Sequence, residues 1–98
     1  MTEYKVVIEE TAENDLLGIL NYIKNTLREP NIAMKIYGSI KKVILSLKQM
    51  PFRYALLNEE PYRSMGVRQI PIENYIAFSD ILLYNVVAYF IVARKGKR

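Results

Sequence analysis

Apolar positions along the chain follow the spacing of a strand, then of two helices, then of strands again. Residues 4–8 alternate weakly and are rich in Val, Ile and Tyr, which predicts a short strand. Glu9 and Glu10 end it, and Thr11 stands where a helix N-cap belongs. Ala12, Leu16, Ile19, Leu20, Ile23 and Leu27 then recur at helical spacing, with Glu13, Asn14, Asn21, Lys24, Asn25 and Arg28 on the other face. This pattern predicts an amphipathic helix. Glu13 and Asp15 in its first turn and Arg28 in its last suit the helix dipole. Glu29-Pro30-Asn31 breaks the pattern, with Asn31 as cap of a second helix. The second stripe is Ala33, Ile36, Tyr37, Ile40, Val43, Ile44 and Leu47, with Lys35, Lys41, Lys42 and Lys48 on or beside the solvated face; Pro51 stops it. Helices joined by so short a break pack as an antiparallel hairpin.

Beyond Pro51 the period changes. Residues 52–57 predict a short strand, residues 58–61 a loop, and residues 65–72 a strand with Pro71 at an edge or bulge. Glu73-Asn74 is a tight turn, Tyr75 opens the next strand, and residues 86–93 form a nearly unbroken apolar run that reads as a buried strand. The predicted class is α+β, in the order β-α-α-β-β-β(-β), with a helical hairpin packed on one face of a mostly antiparallel sheet. Residues 76–93 approach the about 20 apolar residues of a membrane span. Ser79 and Asp80 interrupt them, and their aromatic and β-branched content suits strands, so no membrane association is expected.

Length and composition narrow the chemistry. The chain has 98 residues, expected to form one domain over residues 1–98, and 51% of them are hydrophobic, which excludes a disordered chain. There is no cysteine and no histidine. Thiolate chemistry and disulfides are excluded, and zinc or Ser-His-Asp hydrolysis is disfavoured. Acid–base work falls to Tyr, Lys, Arg and carboxylates, with no metal and no cofactor expected. No leader segment is visible at the amino end, which points to the cytoplasm. The net charge is +4. Up to Tyr62 there are 8 basic and 8 acidic residues, whereas from Arg63 onward there are 6 basic and 2 acidic. The excess in the last third attracts polyanions, or it solubilises a tail.

Three local patterns resemble the RelE/ParE superfamily of toxins. The first is a strand followed by Thr11-Ala12-Glu13-Asn14-Asp15-Leu16 opening a helix. The second is the helix end with Leu47 and Met50-Pro51-Phe52-Arg53-Tyr54. The third is Tyr62-Arg63-Ser64-Met65-Gly66-Val67-Arg68 followed by Glu73-Asn74-Tyr75-Ile76-Ala77-Phe78. The resemblance covers about residues 4–78. It implies a cytoplasmic toxin of a type II toxin–antitoxin system, of the kind also called plasmid stabilisation proteins, held silent by a cognate antitoxin. Members are ribosome-dependent mRNA endonucleases or inhibitors of DNA gyrase. The end of the chain departs from the family pattern: Ile81-Leu82-Leu83 stands where a polar turn is usual, and Ile76 where ribonuclease members carry an arginine.

Metal-independent RNA cleavage needs a proton removed from the 2′-hydroxyl, a stabilised phosphate and a protonated leaving oxygen. By this resemblance Arg68, Arg63 and Arg94 are the catalytic candidates, expected to share one anion-binding hollow. Arg53, Arg68, Tyr75, Lys95 and Lys97 are the nucleic-acid-binding candidates, with Tyr75 placed to stack on a base or to pack in the sheet. A RelE-like mRNA endonuclease is the first reading. A ParE-like gyrase inhibitor without nuclease activity, or a degenerate toxin that only binds its antitoxin, are the alternatives.

Overall fold

The computed structural model describes residues 3–94. Strand β1 (Lys5–Ile8) runs directly into helix α1 (Glu10–Asn21), and helix α2 (Pro30–Ser46) returns beside it. Strands β2 (Arg68–Ile72), β3 (Tyr75–Leu82) and β4 (Asn85–Ala93) follow. The sheet order is β1-β4-β3-β2. β1 lies parallel to β4, and the other pairs are antiparallel. The helical hairpin covers one face, as the apolar spacing requires.

Local chemistry moves several boundaries. Glu9, without a side-chain bond, is the N-cap of α1, and Thr11 lies inside the helix. The cause is that the Glu9 N–H still donates to the Ala88 carbonyl (2.9 Å), so the chain turns into the helix straight from the sheet. Beyond Asn21 the helix widens into a π-helical turn over Tyr22–Thr26, where the Leu27 N–H reaches the Tyr22 carbonyl at 3.1 Å. Arg28 then adopts a left-handed conformation (φ 57°) and ends the helix instead of occupying its last turn. Glu29, not Asn31, precedes α2, because Pro30 is its first helical residue. A first-turn N–H has no helical partner, so proline loses nothing there.

The segment 52–57 forms only an isolated bridge, Leu56 to Arg68, in place of the expected strand. Its backbone meets the sheet irregularly, through Gln69 N–H to Ala55 (3.0 Å) and Leu57 N–H to Val67 (2.9 Å). The strand expected from residue 65 starts at Arg68, since residues 59–65 wind in tight turns that close with Val67 N–H on the Tyr62 carbonyl (3.0 Å). Gly66, at φ 83°, supplies the left-handed step out of them. Pro71 sits exposed on β2, the end strand. The apolar run after Ser79 extends β3 to Leu82, and the reversal falls at Leu83-Tyr84.

The core lies between the hairpin and one face of the sheet. Leu16, Ile40, Ile44 and Leu47 pack on Ile70, Ile72, Ala77, Val86, Ala88 and Ile91. Burying each such leucine or isoleucine contributes about 1.5–3 kcal/mol. The other face carries no helix, and Phe90 and Val92 are exposed on it. A bulge sets Phe90 opposite Phe78 but Ala88 opposite Ser79, so Tyr89 is the extra residue.

β1 pairs with β4 only over Asn85–Ala88. Further along, side chains of α1 take the place of the missing strand. The Thr11 hydroxyl donates to the Tyr89 carbonyl (2.6 Å), and an Asp15 carboxylate oxygen accepts the Ile91 N–H (3.0 Å). Unpaired, that buried backbone group costs about 1–3 kcal/mol. Asp15→Ala is therefore expected to destabilise the fold by about 1–3 kcal/mol in urea titration. Asp15→Asn, which keeps an acceptor oxygen, loses less. On the outer side of α2, a Cβ added at Gly38 meets nothing within 4 Å. Gly38→Ala is expected to raise stability by about 0.5–1 kcal/mol in the same titration.

Candidate functional site

Strand alternation decides which cations reach which face. Ile70 and Ile72 of β2 point to the helices, and Arg68 shares their side, whereas Gln69 and Pro71 point the other way. The Arg68 guanidinium donates to the Tyr54 carbonyl (2.7 Å) and lies 5.1 Å from the centre of the Phe52 ring. It anchors the irregular 52–57 segment to the sheet.

Arg53 and Arg94 meet at a shallow concavity of about 360 Å³, together with Tyr54, Gln69 and Ile76. Arg94 donates from Nη1 to the Glu73 carbonyl at 3.2 Å. Arg63 is exposed on the tight turns, away from that concavity. Its charge helps hold the Glu60 carboxyl below the ordinary range, after the larger effect of hydrogen bonds from Ser64. Tyr75 packs against the core, and burial, then Tyr22, raises its phenol. The structure thus brings Arg53 and Arg94 together and leaves Arg63 and Arg68 apart from them and from each other's surroundings. Lys95 and Lys97 lie outside the described residues.

The open face of the sheet holds a larger groove of about 610 Å³. Phe78 and Phe90 form its floor, and Leu57, Tyr62, Met65 and Val67 form a wall. Its ionisable groups are the carboxylates Glu59 and Asp80 and the phenols Tyr62 and Tyr89. Composition hid this groove, because half its lining comes from turns with no periodic pattern. The alternation Ile76, Phe78, Asp80, Leu82 was the available signal: it marks a second apolar face on β3.

The Tyr89 hydroxyl donates to Asp80 Oδ1 at 3.0 Å. Burial first, then this bond and the charge of Asp80, push the Tyr89 phenol above its ordinary value. The fold favours neutral Tyr89, so this contribution is complete below the usual tyrosine range and is lost as pH rises through the raised value. Asp80→Asn is expected to move the Tyr89 midpoint down toward an ordinary tyrosine, read by NMR titration of its ring carbons. An unchanged midpoint counts against the Asp80 contribution.

Neither family models nor curated proteins match the chain. Solved structures do. A chromosomal ParDE toxin–antitoxin system from P. aeruginosa superposes with a TM-score of 0.78 at 21% identity, over 95% of this chain and 98% of the other. The RelBE2 toxin–antitoxin complex from Mycobacterium tuberculosis superposes with a TM-score of 0.68 at 20% identity, over 95% of this chain and 100% of the other. The helical hairpin on a four-stranded, mostly antiparallel sheet is the RelE/ParE-like fold shared with these two structures.

Proposed function

We propose that this chain is the toxin component of a type II toxin–antitoxin pair and that it arrests growth by binding its target. The toxin reading is supported by a fold shared along 95% of the chain with proteins of two toxin–antitoxin systems. The observation that carries binding over cleavage is the open face itself: its large groove is apolar and holds Glu59 and Asp80. A ribonuclease needs cations where the scissile phosphate sits. Arg68 is committed to the Tyr54 carbonyl, and Arg63 and Arg94 lie outside the groove. A ParE-like inhibitor of DNA gyrase, acting in the cytoplasm and silenced by a cognate antitoxin, fits this arrangement.

A RelE-like mRNA endonuclease is the second reading, favoured by one observation: Arg53 and Arg94 share a concavity with Gln69. Induced expression with and without the neighbouring reading frame, followed by two assays on purified protein, separates these. Growth arrest relieved by the neighbour, loss of gyrase supercoiling activity and intact ribosome-bound mRNA are expected. Cleaved mRNA, with cleavage lost in Arg53→Ala and Arg94→Ala, establishes the second reading instead. Absence of growth arrest removes the toxin assignment.

A further inference from the structure

The sheet has two edges, and the chain guards them unequally. On β2 the segment 52–57 takes the outer groups at one end, through Gln69 N–H to the Ala55 carbonyl (3.0 Å). The next donor on that side would belong to Pro71, which has no N–H. On β1 nothing comparable stands. The Lys5 N–H donates to the Tyr84 carbonyl and the Glu9 N–H to the Ala88 carbonyl, both at 2.9 Å, so these groups face β4. Alternation turns the N–H and carbonyl of Val6 and Ile8 outward. Among the described residues no hydrogen bond engages them there, since β4 is the one strand beside β1. The Lys48 carbonyl on the Tyr4 N–H (2.7 Å) closes this edge at one end, and α1 leaves the sheet from Glu10 at the other. Lys5–Glu9 is the open length.

The side chains of that length say what fits it. Val6 and Ile8 pack toward the core, so Lys5, Val7 and Glu9 share the open face. Glu9 lies close enough there for its charge to reach the Tyr89 phenol. Lys5 and Glu9 are exposed, and the one ion pair among the described residues joins Lys41 to Glu13. Four residues of strand span about 13 Å, so Lys5 and Glu9 of one chain do not meet. An antiparallel strand of the same sequence solves this. Centred on Val7, it sets Val6 against Ile8 of the other copy, where each exchanges two backbone hydrogen bonds. It sets Lys5 against Glu9 of the other copy, twice, on either side of Val7 against Val7. A parallel copy would instead put lysine beside lysine.

We propose that this chain forms a two-fold symmetric dimer by antiparallel pairing of β1 with β1 of a second copy. The two sheets join into one of eight strands, with both helical hairpins on one face and both grooves on the other. The interface is self-complementary, as a two-fold axis requires. It does not depend on the toxin reading, since neither antitoxin nor target enters the argument. An edge this short is a small interface, so association is weak and grows with protein concentration.

Sedimentation velocity of the full chain between about 10 and 500 µM tests this, with hydrogen exchange at both extremes. A dimer that weakens with salt is expected at the upper end, with the Val6 and Ile8 amides exchanging more slowly there than at the lower end. Lys5→Glu and Glu9→Lys each oppose like charges across the axis and are expected to weaken the dimer about tenfold, because symmetry doubles each change. The double variant Lys5→Glu with Glu9→Lys restores it. Lys35→Ala on α2 leaves it unchanged. Urea midpoints check that each variant folds, and exchange of the Val6 and Ile8 amides in the parent reads the same edge without any substitution. A chain that stays monomeric throughout overturns the proposal. So does a double variant no better than the singles, or a dimer that ignores both charge reversals and is lost instead in Phe90→Ser, which places the contact in the groove.

Discussion

Every other feature of this molecule depends on pairing the backbone of β4 along both edges. β3 serves one edge for the whole strand, but β1 serves the other for only four residues, Asn85 to Ala88. A buried strand left half-paired is not viable. Thr11 and Asp15 resolve this from α1, one accepting role and one donating role shared between their side chains and the β4 backbone. That tie fixes α1 along β4, and the hairpin follows it onto one face. The bulge falls at the same place: Tyr89, the extra residue, offers its carbonyl to Thr11 and its hydroxyl to Asp80. One hand-over, from strand to helix, therefore orients both the covered face and the open one.

The periodic parts of the chain are legible in the sequence alone. Ala12, Leu16, Ile40, Ile44 and Ile91 fall in the core where their spacing put them. What was hidden is non-local. Thr11 reads as a cap and Asp15 as a dipole partner because local rules describe those residue types at a helix start. Their actual bonds reach residues 89 and 91, which no local rule relates to them. The segment 52–57 has strand-like composition, yet the turns that follow it between Glu59 and Met65 leave it one bridge. The groove escapes a local reading for a related reason, since its wall is made by those same turns.

Charge was the most misleading cue. Counted along the chain, the basic excess lies after Tyr62. In space the three of them that lie among the described residues disperse: Arg68 turns to the helix side and is spent on the Tyr54 carbonyl, Arg63 stands on an outer turn, and Arg94 sits at one end of the sheet. Alternation along strands and reversal at hairpins scatter neighbours in sequence, so a linear sum does not report a surface field.

The open face therefore selects what it accepts. At an effective dielectric of 20, a phosphate about 4 Å from a carboxylate meets about 4 kcal/mol of repulsion. Glu59 and Asp80 make the large groove a poor seat for a polyanion unless both are neutralised. An apolar side chain entering the same groove gains roughly 25 cal/mol for each Å² it removes from water. The helices occupy only the other face of the sheet, so this groove stays open to an apolar partner.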